Sequence, residues 1–388
     1  MDITIHPRKL RGTVAAIPSK SQAHRYLICA AFSDGETTLV CPETNRDIEA
    51  TAACLNALGA GIERTSDGYH IRPIAQPPLK AVLNCCESGS TLRFMLPIVG
   101  ALGVDGIFQM EGRLPQRPLS PLWEEMERMG CILSRPGENT LRCQGKLKAG
   151  TYTIDGSVSS QFITGLLFAL SLIDGSCNLE ITGKVESKPY ITMTRAAMEL
   201  FHAPAYHTPG HVEVEGDWSN GAFWLVATAL GSAVTVNNLK DDSVQGDRAV
   251  STLLDALEER IIIDASDIPD LVPVLAVVAA AKKGAEFTNI QRLRIKESDR
   301  VATVIEMIEN LGGAASATAD TLIVHGSGLK GGTVDAHNDH RIAMAAAVAA
   351  TVCSGPVTII GAEAVRKSYP KFWDEYLKLG GYYEQYLR

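Results

Sequence analysis

Four short stretches of the 388-residue chain carry more polar chemistry than ordinary surface composition requires. Pro18-Ser-Lys-Ser-Gln-Ala-His-Arg25 sets Lys20, Ser21 and Arg25 within about one and a half helical turns. Lys and Arg hold carboxylates and phosphates, Arg by a two-pronged contact, and the apolar run Tyr26–Phe32 that follows makes these bases the head of a buried helix. Ser157-Val-Ser-Ser-Gln161 offers hydroxyls and an amide, which serve helix capping as well as ligand binding. Leu293-Arg-Ile-Lys-Glu-Ser-Asp-Arg300 packs bases and acids around a helix start, and by itself reads as a charge-laced surface face. Asn338-Asp-His-Arg341 leads an Ala-rich interior helix, where Arg341 is costly to bury without an anionic partner.

Other chemistries are excluded by pattern. There is no Gly-x-x-x-x-Gly-Lys-Ser/Thr, so the usual phosphate loop of P-loop nucleotide enzymes is missing. His207 and His211 have metal-like spacing, but Pro204 and Pro209 prevent a helix that would align them, and the segment reads as a loop. No Cys/His grouping has structural-zinc spacing, so no metal site is expected.

The bases must be positioned by a chain that is acidic overall, with 36 Lys and Arg against 44 Asp and Glu, a poor surface for a polyanion such as nucleic acid. Any anion must therefore be held locally. Nine cysteines without a Cys-x-x-Cys suit a reduced, cytoplasmic protein, and the alternating amino terminus lacks the apolar core of a signal peptide. The longest apolar run, Leu271–Ala281, is too short to span a bilayer and contains Pro273.

The positioning elements repeat. Ser19–Gly35, Glu87–Gly103, Ser157–Gly175, Asp217–Gly231, Asp267–Gly284 and His337–Gly355 each open on a capping residue, run through apolar residues and stop at glycine, as interior helices do. Their markers Ser21, Ser90, Ser160, Ser219, Asp270 and Asp339 are separated by 69, 70, 59, 51 and 69 residues. A β-rich stretch and an amphipathic helix follow each one: Asp47–Leu58, Pro121–Met129, Ile191–Phe201, Arg248–Glu259, Ser298–Leu311 and Pro370–Leu379. The unit is strand, buried helix, strand, surface helix, strand. Three such units make a lobe, with a hinge near Gly216, and several converging helix starts would form a small-anion site.

In this order, Ser19-Lys-Ser-x-x-x-Arg25, Ser88-Gly-Ser-Thr-Leu-Arg93, Ser159-Ser-Gln161, Ser187-Lys-Pro-Tyr190, Ile295-Lys-Glu-Ser-Asp-Arg300 and Asn338-Asp-His-Arg341 resemble the enolpyruvyl transferases, in particular the branch acting on shikimate 3-phosphate. The resemblance implies an α/β, two-lobed fold with three βαβαββ repeats per lobe, the inverse α/β barrel of that family. It implies lobes of 15–216 and of 1–14 plus 217–388, joined by a two-stranded hinge near 12–16 and 214–219. The implied reaction transfers the enolpyruvyl group of phosphoenolpyruvate to the 5-hydroxyl of shikimate 3-phosphate, on the route to chorismate and the aromatic amino acids. The family further implies a monomer, with neither metal nor organic cofactor.

Carried over by motif, Lys20, Ser21, Arg25, Ser159, Ser160, Gln161, Ser187, Tyr190, Asp270 and Lys296 would hold shikimate 3-phosphate. Lys20, Gly89, Arg117, Gln161, Arg300, Arg341 and Lys367 would hold phosphoenolpyruvate, and Asp270, Glu297 and Lys20 would move the protons. Two positions depart from the family pattern: Glu87 and Arg292 each stand where Asn is frequent, Glu87 beside the phosphoenolpyruvate site. Within the family, the UDP-N-acetylglucosamine branch usually carries a reactive Cys in its mobile loop, and Glu111–Pro118 here has none. A noncatalytic anion-binding repeat protein is the rival from a different class, and it would need neither Asp270 nor Glu297 near the bases.

Overall fold

The computed structural model describes residues 1–386, along which interior and surface helices alternate. They are α1 (Lys20–Ala31) and α2 (Arg46–Ala57), α3 (Gly89–Leu102) and α4 (Leu122–Arg128), α5 (Ser160–Leu170) and α6 (Lys188–Leu200). After these come α7 (Trp218–Ala229) and α8 (Val250–Ala256), α9 (Val272–Ala281) and α10 (Arg300–Asn310), α11 (His340–Ala349) and α12 (Phe372–Lys378).

Burial follows the sequence pattern. All of α11, and α9 as far as Ala280, is buried, whereas α10 buries Val301, Val304, Met307 and Ile308 at helical spacing and exposes the opposite face. Pro273 is tolerated in the first turn of α9, where a missing N–H breaks no helical bond. Ser88, Ser159, Asp217 and Asp339 cap α3, α5, α7 and α11 through their side chains, and Ser19 precedes α1 without such a bond. Gly103 and Gly231 take up positive φ (71° and 92°) directly at the ends of α3 and α7; the other four closing glycines come after a short turn.

The repeat is complete at residues 80–145. Lys80–Asn84 lies parallel to Asp105–Gln109, which pairs antiparallel with Thr140–Gly145, which in turn pairs with Cys131–Gly137. Ile261–Asp264, Gly284–Thr288, Thr321–His325 and Ala314–Ala317 repeat that order. The first and last repeats are completed by borrowed strands: His211–Glu213 beside Thr37–Val40, and Asp2–Ile5 between Val357–Ile360 and Tyr383–Tyr386. Repeats three and four stop short. Gly150–Asp155 with Cys177–Thr182, and Arg11–Ala15 with Ala233–Asn237, form two-stranded parallel sheets without the antiparallel hairpin. The spacings of 59 and 51 residues leave too little chain for that hairpin.

The chain divides into two compact units, Pro18–Val214 and Met1–Ile17 with Glu215–Arg388. Each has its own hydrophobic core built on its three interior helices. In the first, α3 and α5 pack at backbone distance: a Cβ on Gly165 would lie 2.2 Å from the Arg93 carbonyl oxygen, so only glycine fits there.

Candidate active site

In the 18–214 unit, the starts of α1, α3 and α5 carry the polar side chains. Lys20 Nζ pairs with Asp47 Oδ2 at 2.9 Å, both side chains being mostly covered. Arg25 is buried and braces α1, α5 and α6: Nε donates to Thr194 Oγ1 (2.9 Å), Nη1 to the Ser21 carbonyl (2.6 Å), and Nη2 to the Tyr190 carbonyl (2.9 Å) and Thr164 Oγ1 (3.4 Å). Burial lowers its pKa to about 10, so it stays protonated at neutral pH.

A second polar thread supports α3. His24 Nδ1 meets Thr51 Oγ1 at 2.7 Å, Thr51 meets Thr91 Oγ1 at 2.8 Å, and Thr91 donates to the capping Ser88 Oγ at 2.8 Å. Burial first, then Lys20 and Arg25, hold His24 well below its ordinary range, so the thread is neutral. On top of α3, an ideal Cβ at Gly89 would stand 2.8 Å from Arg117 Nη1 and 3.0 Å from Arg93 Nη1. Glycine there lets two guanidinium groups converge over a helix N-terminus, which is an anion-binding arrangement.

Arg93 also donates to Gln161 Oε1 (2.7 Å) and the Pro118 carbonyl (3.1 Å), while Gln161 Nε2 donates to Ser90 Oγ (2.9 Å). Gln161 thus ties the start of α5 to the start of α3. Ser159 caps α5, and Ser160 is buried. Ser187 is buried at φ 54°, a left-handed conformation unfavourable for a non-glycine residue and common at functional sites, immediately before α6 and Tyr190. Glu87 points toward the loop after Asp105–Gln109: a Cβ on Gly112 would touch its carboxyl at 2.7 Å.

In the other unit, Leu293–Arg300 is not the surface face its charges suggested. Arg300 is 1% exposed and is surrounded by three carboxylates. Its Nε donates to Asp339 Oδ2 (2.8 Å), Nη1 to Asp270 Oδ1 (2.6 Å) and Nη2 to Glu297 Oε2 (2.7 Å). Burial opposes the Arg300 charge, but Asp339, Glu297 and Asp270 outweigh it and raise the pKa well above the ordinary value. Asp339 takes a further bond from Ser298 Oγ (3.0 Å) and caps Arg341 N at 2.9 Å.

Asp270, just ahead of α9, is the hub. Beyond Arg300 it has Lys296 Nζ at 3.6 Å and Arg341 Nη2 at 3.6 Å. Burial favours its neutral form, yet Lys296, Arg341 and Arg300 together hold the carboxyl well below the usual range. Burial lowers Lys296 to about 8, only partly offset by Asp270, and Arg292 lies near enough to depress it further. Arg341 donates Nη1 to the Ser219 carbonyl at 2.9 Å, and Lys367 donates to the Asn338 carbonyl at 2.8 Å. Asp247, which no sequence pattern singled out, lies buried against Ser219 and is raised to about 7 by burial and by repulsion from Asp270.

Each unit therefore brings together its own share of the expected residues: Lys20, Ser21, Arg25, Gly89, Arg117, Ser159, Ser160, Gln161, Ser187 and Tyr190 in one; Asp270, Lys296, Glu297, Arg300, Arg341 and Lys367 in the other. Asp47, Arg93 and Asp339 hold these residues in place without being among the expected ligands. Asp339 was legible as a helix cap, but its second role toward Arg300 needs the fold. His207 instead pairs with Asp34 at 2.6 Å, and no group of three or more potential metal ligands exists among the described residues.

A family model described as EPSP synthase (3-phosphoshikimate 1-carboxyvinyltransferase) matches residues 5–262 and 252–376. The 3-phosphoshikimate 1-carboxyvinyltransferase of Clostridium kluyveri is 40% identical over 414 aligned positions, covering 98% of this chain and 97% of that one. That span exceeds the 388 residues here, so the relative carries segments this chain lacks. The protein of the same name from Clostridium beijerinckii is 38% identical, covering 99% of each chain. In fold, the chain matches a solved EPSP synthase of Acinetobacter baumannii with a TM-score of 0.79 at 22% identity, over 99% of this chain and 100% of that one. The chain belongs to the EPSP synthase (3-phosphoshikimate 1-carboxyvinyltransferase) family.

Proposed function

We propose that this protein transfers the enolpyruvyl group of phosphoenolpyruvate to the 5-hydroxyl of shikimate 3-phosphate, releasing phosphate. The observation that carries the reading is Asp270: a half-buried carboxylate kept ionised among Lys296, Arg300 and Arg341, hence an unprotonated group beside cations suited to anionic substrates. A purely anion-binding repeat protein has no use for carboxylates that neutralise its own bases.

Shikimate 3-phosphate is assigned to Lys20, Ser21, Arg25, Ser159, Ser160, Gln161, Ser187, Tyr190, Asp270 and Lys296. Phosphoenolpyruvate is assigned to Lys20, Gly89, Arg117, Gln161, Arg300, Arg341 and Lys367. Arg25 and Arg300 already spend most of their donors on protein partners, so in these roles they orient neighbouring ligands and supply charge. In the addition step, the 5-hydroxyl oxygen bonds to C2 of phosphoenolpyruvate, its proton goes to a protein base, and C3 takes a proton to become a methyl group. Elimination removes a methyl proton and expels phosphate from C2. Asp270, Glu297 and Lys20 share these transfers.

Residues of both units serve one reaction, and the passages at 12–16 and 214–219 act as its hinge. The nine unpaired thiols suit a reducing compartment, and we place the reaction in the cytoplasm. Phosphate release from phosphoenolpyruvate is the test, run with shikimate 3-phosphate, with UDP-N-acetylglucosamine and with neither acceptor. Release dependent on shikimate 3-phosphate is expected; no release with either acceptor would remove the enzyme reading.

A further inference from the structure

Asp247 lies in the short turn Gly246–Ala249, against the first turn of α7, and is 2% exposed. Its Oδ2 accepts from Ser219 Oγ, whereas Oδ1 is buried with no hydrogen-bond partner among the described residues. Asp270 and Asp339 lie 2.6 and 2.8 Å from Arg300, but Asp247 has no such ion pair among the described residues. An ionised oxygen left bare in the interior costs far more than a neutral one, so the carboxyl keeps its proton up to an unusually high pH. Burial first, then repulsion from Asp270, raise its pKa to about 7; Asp217 adds to the repulsion, while Arg341 and the Ser219 hydroxyl oppose it. Arg248, the next residue, is exposed and turned to the Asp241 carbonyl.

Arg341 meets Asp247 at Ser219. Its Nη1 donates to the Ser219 carbonyl at 2.9 Å, its Nη2 stands 3.6 Å from Asp270 Oδ2, and its buried Nε has no hydrogen-bond partner among the described residues. Arg300, by contrast, gives Nε, Nη1 and Nη2 to three carboxylates. Arg341 is therefore the better placed of the two to offer N–H groups to an incoming anion. A second carboxylate charge beside it would compete for them.

We propose that Asp247 is a positioning residue for the donor substrate: its neutral form leaves Arg341 to the anionic groups of phosphoenolpyruvate, and its ionised form holds Arg341 back from them. This rests on the function proposed above, and adds to it a residue that touches neither substrate. Only the fraction of protein with a neutral Asp247 is then competent to bind phosphoenolpyruvate well, and that fraction falls as pH rises through about 7.

Two measurements on the full chain test this, with Asp247→Asn as the variant that keeps the shape and cannot ionise. The first is KM for phosphoenolpyruvate at saturating shikimate 3-phosphate. The ratio of parent to variant KM, in which titration of the substrate itself cancels, should rise about tenfold between pH 6 and pH 8, while the kcat ratio changes much less. Ser219→Ala, which removes the hydroxyl that favours the ionised form, should move that rise to higher pH. The second needs no activity. In the unfolded chain an aspartate ionises near pH 4, so the parent loses stability between about pH 5 and pH 7 that the variant keeps. The melting-temperature advantage of Asp247→Asn should widen over that window and level off above it. In an active parent, a KM ratio or a melting gap that is flat with pH overturns the positioning role alone. A parent that releases no phosphate with shikimate 3-phosphate removes the activity reading, and the positioning role with it.

Discussion

At the scale of single residues, the acidic groups prove as informative as the basic ones. Asp270→Ala is expected to lower turnover in phosphate release by about 100-fold or more, while shikimate 3-phosphate binding, read by calorimetry, weakens much less. The Lys296 ammonium loses its proton as pH rises through about 8. Its cationic form is the one that attracts a phosphate, so kcat/KM for shikimate 3-phosphate should fall above that pH. Lys296→Arg, which keeps its charge, should move the fall upward. Arg25 and Arg300 were legible as bases with a purpose, but their surroundings were not: a buried arginine bonded to Thr194 or Asp339 depends on residues more than thirty positions away.

At the scale of elements, the repeat pattern and the capping residues located every interior helix, because apolar runs that must be buried leave a direct trace in sequence. The contacts between helices left none. At Gly165, α3 and α5 approach so closely that Gly165→Ala should cost about 1–3 kcal/mol in urea unfolding. Gly89→Ala places its methyl group against Arg117 and Arg93, and should raise KM for phosphoenolpyruvate about tenfold with little change in melting temperature. Asp339→Ala removes both a helix cap and the carboxylate behind Arg300, so a loss of about 3–5 kcal/mol is expected from the same denaturation measurement.

At the scale of the whole molecule, strand borrowing decides which segments fold together. Asp2–Ile5 is an inner strand of its sheet, so residues 215–388 expressed without 1–17 should fail to show a cooperative urea transition, whereas 18–214, which holds its own borrowed strand His211–Glu213, should retain one. By itself the sequence determined the sixfold period, the order of buried and surface helices, the absence of a Gly-x-x-x-x-Gly-Lys-Ser/Thr loop and the motifs of the family, all of which are local patterns of residue type and spacing. Only the tertiary structure decided that Arg300 is enclosed by Asp270, Glu297 and Asp339, that Asp247 joins them, and that repeats three and four leave strand edges uncovered. Those features arise from long-range pairing, where the partner of a charge or of a backbone N–H is set by packing across the fold and leaves no periodic signal along the chain.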